Sequence, residues 1–470
     1  MNIKTTTTTV LATLSAMSIY AQKQPNVIYI MTDQQSASTI SALSDIYGEC
    51  YSETPNIDRL VKSGITFTNS YCANPVSVPS RFALFTGRYG SELNVRGNAD
   101  KSKINQKTQQ FIGHNGMGAI FKKAGYDTYY GGKIHLPEPK GAKNEQKAPY
   151  SYGFDTYYEK NERTIMAHKA AEIINERANR NNDKPFLLVA SFINPHDICV
   201  VADSTFVKSA DKGRLSPEKA ATRETVRTLM AEINNYGYDN FIDDLAPELP
   251  SNLEETKGVS SKTYVTNAPR PEYSDNQWRE YRWIYEELIS QVDGDIGIIL
   301  DAIDANPELK KNTIVIFTSD HGDMQGSHRL TKKRVPFEEC QRIPLFIMAE
   351  GIEAGSRSDI LTSGVDIIPT MCDFTGIDVS DYKLSGLSLA QVALGKDKDV
   401  DRDYLYGEAE MFVNIVKGDY KYTLYNNKVD EILVNLKRDP GETKNLLSTD
   451  SKKYRKIADE LRGLLPEKMK

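Results

Sequence analysis

Short apolar runs rich in β-branched residues alternate along the chain with longer segments in which apolar residues recur at helical spacing. Short continuous runs favour buried strands, whereas recurrence every third or fourth residue favours helices. Residues 54–64 and 285–304 have helical spacing. The strand-like runs are NVIYIM from Asn26, DTYYGGK from Asp127, PFLLVASF from Pro185, TIVIFTSD from Thr313 and IPLFIM from Ile343. This alternation predicts an α/β domain with a mixed, mostly parallel sheet flanked by helices.

Two regions depart from this alternation. Residues 204–281 are polar, rich in proline and too long for a simple connection, so we expect an insertion that covers the sheet edge or the active site. After Leu389 the runs become short (YLYGEAEMFVNIVKG, YKYTLYN, DEILVNL), and a charged, helix-like segment follows them. We therefore expect a catalytic domain over residues 22–395 and a smaller C-terminal antiparallel-sheet subdomain with a terminal helix over residues 396–470.

The first residues, MNIKTTTTTVLATLSAMSIYAQ, combine one cation, Lys4, with a mildly apolar run and a small residue, Ala21. This order is typical of a secretory signal peptide. We therefore expect residues 1–21 to be removed and the protein to be exported. Because an apolar run of roughly ten residues is about half of what a bilayer requires, we expect no stable membrane span.

The net charge and the cysteine content limit the possible partners and the number of disulfides. The 470 residues carry a net charge of −6 without a basic stripe, which argues against nucleic acid as a partner because phosphate binding requires clustered lysine and arginine. The five cysteines are widely spaced and form no C-x-x-C motif. We expect them to be mainly buried small side chains with at most one or two disulfides, and their odd number leaves one thiol free or bonded to another chain.

Candidate chemistry collects directly after the predicted strands, where open α/β sheets bind their ligands. A single strand-terminal aspartate is more often a helix cap than a functional residue, but four polar strand ends together indicate one site. These ends are Thr32-Asp33-Gln34-Gln35, Gly132-Lys133-Ile134-His135, Asn194-Pro195-His196 and Ser319-Asp320-His321-Gly322-Asp323.

The residue types at these ends suggest a metal next to an anion. Asp33, Gln34 and Asp320 offer hard oxygen ligands suited to Ca²⁺ or Mg²⁺, and His321 can add a nitrogen. Zinc would favour more histidine and cysteine, so we rank calcium or magnesium ahead of zinc.

The remaining polar residues are donors that fit an anion and its leaving group. Lysine offers only donors, and histidine can donate or act as an acid. His196 alone could also belong to a structural Pro-His turn, and a basic run is often only a solvated surface. The residues concerned are Lys133, His135 and His196. The basic loop SHRLTKKRVPFEECQRIPLF, with Lys332, Lys333 and Arg334 near His328, leaves the Asp320 strand end, so we expect one of its lysines to point inward.

One further segment, CANPVSVPSRFALFTGR from Cys72, resembles the signature of the type I, formylglycine-dependent sulfatases. That signature is a Cys or Ser followed by x-Pro-x-Arg and a Thr-Gly-Arg close, which here begins at Ser77 and includes Arg81. Other segments follow in family order: TPNIDRL, GYDTYYGGKIHL, NPHD, FTSDHGDMQGSH, VDIIPT and LKRDPGETKNL. The resemblance covers nearly the whole mature chain and implies the alkaline phosphatase superfamily fold, with a large α/β domain and a smaller antiparallel sheet.

The resemblance implies hydrolysis of sulfate esters on carbohydrates, such as glycosaminoglycan or mucin-type glycan fragments, with release of inorganic sulfate. Ser77 would be oxidised to formylglycine, whose hydrated aldehyde attacks sulfur with one hydroxyl and collapses through the other to expel sulfate. The metal would be held by Asp33, Gln34, Asp320, His321 and the modified residue 77.

The same resemblance assigns roles to the cationic residues. Arg81 would hold the formylglycine hydrate, and His135 would help take the proton whose loss releases sulfate. Lys133, His196 and Lys333 would contact the sulfate oxygens, with His196 or Lys333 protonating the leaving oxygen.

Two positions depart from the family pattern. Many relatives have Asp-Asp where this chain has Asp33-Gln34, so the site carries one negative charge less. Residue 77 is serine, and the oxygen-dependent maturation enzyme acts on cysteine. The resemblance therefore implies a radical S-adenosylmethionine maturating enzyme as a partner, as in anaerobic bacteria, and, with the expected signal peptide, a periplasmic or cell-surface location.

The sugar and the sulfate position depend on loops that the motifs do not define. Residues expected on the sugar-facing wall, besides the insertion after Ser204, are His114, Asn115, Asp197, His328 and Arg334. The alternative functions are a phosphoester or phosphonate hydrolase on the same fold, an N-sulfate (sulfamate) hydrolase, and a noncatalytic glycan-binding relative. The joint presence of the metal-type and cationic residues argues against the last of these.

Overall fold

The computed structural model describes residues 23–138, 147–180, 184–202, 217–254, 256–259, 273–427 and 429–466. The expected signal peptide lies outside these residues, as do residues 204–216, 255 and 260–272 of the expected insertion. Within the described ranges, no helix combines the length and the apolar character needed to cross a membrane.

A mixed sheet forms the centre of the protein. Its strands are β1 (Asn26–Asp33), β2 (Ile65–Tyr71), β3 (Asp127–Gly132), β4 (Thr156–Glu159), β5 (Phe186–Pro195), β6 (Thr313–Ser319), β7 (Leu345–Met348) and β8 (Ser356–Ser363). They lie in the order β4-β3-β5-β1-β6-β7-β2-β8. Only β7 among them is antiparallel to its neighbours, β6 and β2. The mostly parallel sheet predicted from the sequence is therefore confirmed.

The five strand-like runs of the sequence correspond to β1, β3, β5, β6 and β7. The sequence did not predict β4 and β8, which are the two edge strands and have partly exposed side chains. It also did not predict β2, because the polar residues of ITFTNSY interrupt its apolar pattern even though most of the strand is buried.

The described residues also contain sixteen α-helices, most of them in the large domain. Their bounds are α1 (Ser44–Tyr47), α2 (Ile57–Ser63), α3 (Ser77–Thr86), α4 (Gln106–Asn115), α5 (Met117–Lys123), α6 (Ala148–Ser151), α7 (Thr164–Asn179), α8 (Cys199–Ala202), α9 (Pro217–Tyr236), α10 (Tyr238–Asp244), α11 (Asp275–Asp304), α12 (Pro307–Lys311), α13 (Glu338–Gln341), α14 (Ile367–Thr375), α15 (Ala390–Ala393) and α16 (Lys452–Leu464). The helix predicted over residues 285–304 begins earlier, at Asp275, where Ser274 and Gln277 form a capping box. Part of the expected insertion is therefore the first turns of α11.

Both faces of the central sheet are buried. On one face Val27, Tyr29 and Met31 of β1 pack in a cluster that includes residues of α3, α5 and α14. On the other face Ile28 and Ile30 pack in a cluster that includes residues of α2, α7 and α11. A strand covered on both sides has no polar alternation, which is why β1 reads as a continuous apolar run.

The smaller sheet is antiparallel, as predicted. Its strands, β9 (Leu405–Glu408), β10 (Phe412–Lys417), β11 (Tyr420–Tyr425) and β12 (Glu431–Asn435), lie in the order β12-β11-β10-β9. One face packs on α16 through Ala458 and Leu461. The other face, through Phe412 and Tyr425, packs on residues 324–340 of the large domain.

A buried ion network also joins the two sheets. Nζ of Lys421, on β11, lies 2.8 Å from Oε1 of Glu338 and 2.7 Å from Oε1 of Glu442. Glu338 also accepts hydrogen bonds from the Tyr71 hydroxyl and from Arg342, at 2.9 and 2.8 Å. The Lys421 side chain is only 1% exposed, so its charge is neutralised by these carboxylates rather than by water.

A carboxyl group in the large domain gives the fold a pH-dependent element. Glu286 of α11 is buried and accepts a hydrogen bond from the Ser52 hydroxyl. Burial raises the pKa of Glu286 from its ordinary value of 4.5 to about 7, although the nearby Arg282 opposes the shift. The folded protein therefore holds this proton more tightly than the unfolded chain does.

We expect Glu286→Gln to reduce the loss of stability that the protein undergoes as pH rises. A raised pKa contributes stability that is complete below 4.5 and is lost as pH rises through about 7, on the order of 3 kcal/mol in the free energy of unfolding. The glutamine is neutral throughout this window. Urea unfolding at about pH 5 and about pH 8 measures the difference, with Glu308→Gln, whose side chain is 88% exposed, as a control. Equal pH dependence in Glu286→Gln and the wild type would refute the assignment.

Candidate active site

The carboxyl ends of four adjacent strands, β3, β5, β1 and β6, form the floor of the site. Asp33 ends β1, Lys133 follows β3, His196 follows β5 and Asp320 follows β6. Adjacent parallel strands present their carboxyl ends at one edge of the sheet. The structure therefore brings together strand-terminal residues that are far apart in the sequence.

Ser77 is the first residue of α3, a helix buried along its whole length. A helix N-terminus has unpaired N–H groups and the positive end of the helix dipole, and both favour an anion. The Ser77 hydroxyl lies 2.9 Å from Nε2 of His321. Nδ1 of His321 donates to the carbonyl oxygen of Gly322 at 3.0 Å, which leaves the lone pair on Nε2.

Arg81 lies one helical turn after Ser77, on the same face of α3, and is fully buried. Its Nη2 donates to Asp33 and its Nε donates to Asp320, both at 2.9 Å. Its Nη1 donates to the Ser191 hydroxyl at 2.8 Å. The planar guanidinium thus fixes the two strand-terminal carboxylates relative to α3.

The electrostatics of these carboxylates suit a cation. Nζ of Lys133 lies 2.8 Å from Asp33. Burial opposes ionisation of Asp33, but the charges of Lys133 and Arg81 hold its pKa well below its usual range. Burial and the neighbouring Asp33 raise the pKa of Asp320. A divalent cation between the two carboxylates would offset their mutual repulsion.

The donor set fits a metal ion. Ligand atoms of Asp33, Asp320 and His321 lie within 4.8 Å of one another. Oδ1 of Asp33 is buried and has no hydrogen-bond partner in the described part of the chain. A buried carboxylate oxygen without a partner is costly unless a ligand satisfies it. Two carboxylates, an amide and one imidazole suit Ca²⁺ or Mg²⁺ better than zinc.

Gln34 lies in the left-handed region, with φ of 76°. Its Oε1 accepts a hydrogen bond from Nζ of Lys333, and its Nε2 donates to Oδ2 of Asp323 at 2.6 Å. Its backbone N–H donates to Asp320 at 3.0 Å. The side chain of Gln34 therefore lies between a cation and an anion, beside the carboxylate cluster.

Two neutral histidines complete the cluster. Burial and the charge of Lys133 lower the pKa of His135 well below its usual value. Burial, Lys133 and Lys333 have the same effect on the pKa of His196. Nδ1 of His135 is buried and unpartnered within the described residues. A neutral imidazole of this kind can accept a proton from a reacting group.

Lys333 belongs to a constrained loop, residues 324–337, which we term the Lys333 loop. Five of its non-glycine residues have positive φ values, between 50° and 80°: Gln325, His328, Arg329, Lys332 and Arg334. Such backbone conformations persist only where the surroundings enforce them. Here the smaller sheet packs on the loop through the cluster that contains Leu330 and Phe337.

Some residues expected on the sugar-facing wall have structural partners instead. His328 is buried, stacks on Phe337 at 3.9 Å, and has its two ring nitrogens 3.4 and 3.2 Å from the side chains of Asn252 and Thr256. The buried Asp197, beside His196, accepts two hydrogen bonds from Arg163 at 3.0 and 2.7 Å. His328 thus supports the Lys333 loop, and Asp197 holds Arg163 beside the site.

The other wall residues occupy different places. Arg334 is half-buried next to Lys333. His114 is exposed on α4; its ring lies 5.0 Å from that of Tyr382, tilted by 37°, and its Nδ1 lies 2.8 Å from the Asn115 side chain. On the same helix, Phe111 lies under Arg88, which follows the C-terminal end of α3. The contacts of His114 and Asn115 are thus with Tyr382 and with each other, and none of them joins these two residues to Ser77 within the described part of the chain.

Several contacts of the site were not predicted from the sequence. Ser191 pairs with Arg81, and the Ser80 hydroxyl donates to the Asp320 carbonyl at 2.5 Å. Sγ of Cys199 lies 3.4 Å from the Gln34 amide and 4.0 Å from Nε2 of His196. Asp323 stands in the SDHGD motif, which was a usable signal. Ser80, Ser191 and Cys199 had no distinguishing sequence signal, since small polar residues and single cysteines are common in buried segments.

The chain is similar to known sulfatases over nearly its whole length. Residues 25–377 match the family model "Sulfatase", and residues 326–470 match "N-sulphoglucosamine sulphohydrolase, C-terminal". A Delta 4,5-hexuronate-2-O-sulfatase of Bacteroides thetaiotaomicron is 27% identical, with 97% of this chain and 90% of the relative covered. An N-acetylglucosamine-6-O-sulfatase of the same organism is 29% identical, with 100% and 92% covered. The solved structure of a 2-O GAG sulfatase aligns with a TM-score of 0.71 and 25% identity over 94% of this chain and 91% of that one.

Proposed function

The chain belongs to the sulfatase family and is a sulfuric ester hydrolase, and on this premise we propose that it removes sulfate from carbohydrates such as glycosaminoglycan or mucin-type glycan fragments. The observation that carries the proposal is the convergence of four strand ends on Ser77, with two carboxylates flanked by Arg81 and Lys133. Similar relatives are named for hexuronate and N-acetylglucosamine sulfates, which supports a sulfated sugar as the substrate.

We propose that Asp33, Gln34, Asp320, His321 and residue 77 hold a divalent metal, with calcium preferred to magnesium. The unpartnered Oδ1 of Asp33 and the lone pair on Nε2 of His321 support this assignment. A bound metal of this kind supplies Lewis acidity toward the nucleophile and one sulfate oxygen.

Residue 77 is proposed to be a formylglycine made from serine. The hydrated aldehyde supplies a nucleophilic hydroxyl and, through its second hydroxyl, a route for release of sulfate that a serine ester lacks. Arg81 is a structural anchor for this residue, because its contacts with Asp33 and Asp320 fix the start of α3 relative to the strand ends.

The nearby lysines and histidines are assigned to sulfate binding and to the two proton transfers. Lys133 follows β3 on one side of the cluster, Lys333 approaches through Gln34 on another, and both can donate hydrogen bonds to sulfate oxygens. His135 is buried and neutral, so it can take the proton whose loss releases sulfate. Because burial also keeps His196 neutral, Lys333 is the better donor of a proton to the leaving oxygen.

We further propose that maturation and location follow from residue 77 and the N-terminal segment. A serine at this position requires a radical S-adenosylmethionine maturating enzyme as a partner. The signal-like residues 1–21 would direct the bacterial protein to the periplasm or the cell surface.

Release of inorganic sulfate from defined sulfated sugars by the matured protein tests the proposal. The panel contains a 2-O-sulfated unsaturated hexuronate, a 6-O-sulfated N-acetylglucosamine and an N-sulfated glucosamine, since all three chemistries occur among the matches. We expect release from at least one of them at a kcat/KM above that for phosphate and phosphonate monoesters, which serve as the matched control. Faster turnover of the phosphorus esters would assign the protein to the alternative hydrolase class, and sugar binding without turnover would indicate a noncatalytic relative.

A further inference from the structure

This chain has Gln34 where many relatives have a second aspartate, and the side chain of Gln34 is hydrogen-bonded to a nearby carboxylate, Asp323. We propose that Asp323 is a positioning residue for the metal site, and that it supplies the carboxylate that the Asp33-Gln34 pair lacks. It would hold the amide oxygen of Gln34, and not the nitrogen, toward the cation. This inference rests on the metal site of the proposed function.

The neighbours of Gln34 determine the orientation of its amide. A carboxylate accepts hydrogen bonds and an ammonium group only donates them. Nε2 of Gln34 donates to Oδ2 of Asp323 at 2.6 Å, whereas Oε1 of Gln34 accepts from Nζ of Lys333. Rotation of the amide by half a turn would place its N–H₂ group against the lysine and its oxygen against the carboxylate. The pair of neighbours therefore permits one orientation only.

Asp323 is itself held firmly. It is fully buried, its Oδ1 accepts from the backbone N–H of Gln325 at 2.8 Å, and the Tyr281 hydroxyl lies 3.1 and 3.3 Å from its two oxygens. Tyr285, one turn after Tyr281 on α11, donates to the backbone carbonyl of Gln34 at 2.7 Å. One helix thus fixes both the ligand and the residue that orients it.

Asp323 supplies a negative charge next to the metal site through its hydrogen bond with the Gln34 amide. With Gln34 neutral, Asp33 and Asp320 are the only carboxylates of the assigned metal ligands. Asp323 adds a third carboxylate behind the amide, where it polarises the N–H bond and increases the negative character of the amide oxygen. Such outer partners of metal ligands are typically worth about 10-fold to 100-fold in metal affinity.

Calcium binding by the unmatured Ser77 protein, measured by titration calorimetry with CaCl₂ after removal of metal by a chelator, tests the inference without requiring turnover. We expect Asp323→Asn to weaken Ca²⁺ binding by about 10-fold to 100-fold, because an asparagine amide also lets Gln34 rotate. We expect Gln34→Asp alone to weaken binding as well, because it places two carboxylates against each other. The double variant Gln34→Asp/Asp323→Asn should recover most of the affinity, since the asparagine amide then donates to the carboxylate introduced at position 34.

Matched variants separate positioning from a general loss of structure. Tyr281→Phe keeps the Asp323 carboxylate and removes one of its hydrogen bonds, so it should weaken binding in the same direction by a smaller factor. Glu286→Gln changes a different buried carboxyl, on α11 and outside the proposed metal site, and should leave the affinity unchanged. Circular dichroism of each variant verifies that it is folded.

The outcomes are distinct. Wild-type Ca²⁺ affinity in Asp323→Asn, or a double variant no better than Gln34→Asp, would overturn the role of Asp323. Absence of Ca²⁺ and Mg²⁺ binding by the wild type would overturn both this role and the proposed metal site. Intact Ca²⁺ binding with the expected variant pattern, but no sulfate release by matured protein, would refute the proposed function and leave the role of Asp323 standing.

Discussion

Replacement of Ser77 by alanine is expected to abolish sulfate release even when the protein is coexpressed with a radical S-adenosylmethionine maturating enzyme. Alanine has no hydroxyl to oxidise, so the residue at the start of α3 can supply neither a nucleophile nor a route for sulfate release. Loss of a catalytic nucleophile typically lowers kcat by about 10⁴-fold to 10⁶-fold. Ion chromatography of sulfate released from the most active sugar of the panel measures the effect.

Two companion variants make this test specific. Ser80→Ala removes a neighbouring hydroxyl that donates to the Asp320 carbonyl, and it should retain most of the activity. Ser77→Cys should regain activity when an oxygen-dependent maturating enzyme is coexpressed, since that enzyme acts on cysteine. Mass spectrometry of the peptide around residue 77 should show loss of two hydrogen atoms in active wild-type protein. Full activity with an unmodified serine would refute the proposed nucleophile.

Replacement of Lys421 by methionine is expected to destabilise the protein by about 3 to 5 kcal/mol, the usual cost of removing one partner from a buried ion pair. The variant leaves the buried Glu442 and the largely buried Glu338, 14% exposed, near each other without the lysine charge between them. Burial raises the pKa of Glu442 even with the lysine beside it, so the charged form of this carboxyl is already disfavoured and loses its main compensating charge in the variant. The free energy of unfolding from urea titration measures the loss.

Lys417→Met provides the control for Lys421→Met. It removes a lysine from the adjacent strand β10, where the side chain is 34% exposed, and should change stability by less than about 0.5 kcal/mol. The double variant Lys421→Met/Glu442→Gln removes a charge of each sign and should regain part of the lost stability. A single variant Lys421→Met as stable as the wild type would show that the network does not join the two sheets energetically.

The sequence was sufficient to predict the sheet wherever strands are covered on both faces. β1, β5 and β6 read as largely continuous apolar runs because every position along them is buried except Ile193 of β5, which is half-buried. β4 and β8 were missed because edge strands tolerate polar residues on their exposed positions. The start of α11 was missed because its first turns, around Trp278, carry many charged residues and were interpreted as insertion.

The candidate site followed from strand ends, since sheet topology brings those positions together whatever the intervening sequence. Residues that only orient a predicted ligand, without being ligands themselves, could not be identified from the sequence pattern. Asp323 contacts Gln34 from within the SDHGD motif, whose predicted ligands are Asp320 and His321, and Tyr281 contacts Asp323 from a helix distant in the sequence. His328 looked like a ligand-facing histidine because a sequence does not reveal that Phe337 covers its ring.

Because the smaller sheet packs on the Lys333 loop, the conformation of this loop depends on residues from the C-terminal part of the chain. Phe412 and Tyr425 share a cluster with Leu330 and Phe337, so the position of the Lys333 ammonium depends on residues contributed by the C-terminal strands. We therefore expect a C-terminal segment grafted from a relative to shift the Lys333 ammonium and, through the role proposed for Lys333, to change the rate of sulfate release as well as stability.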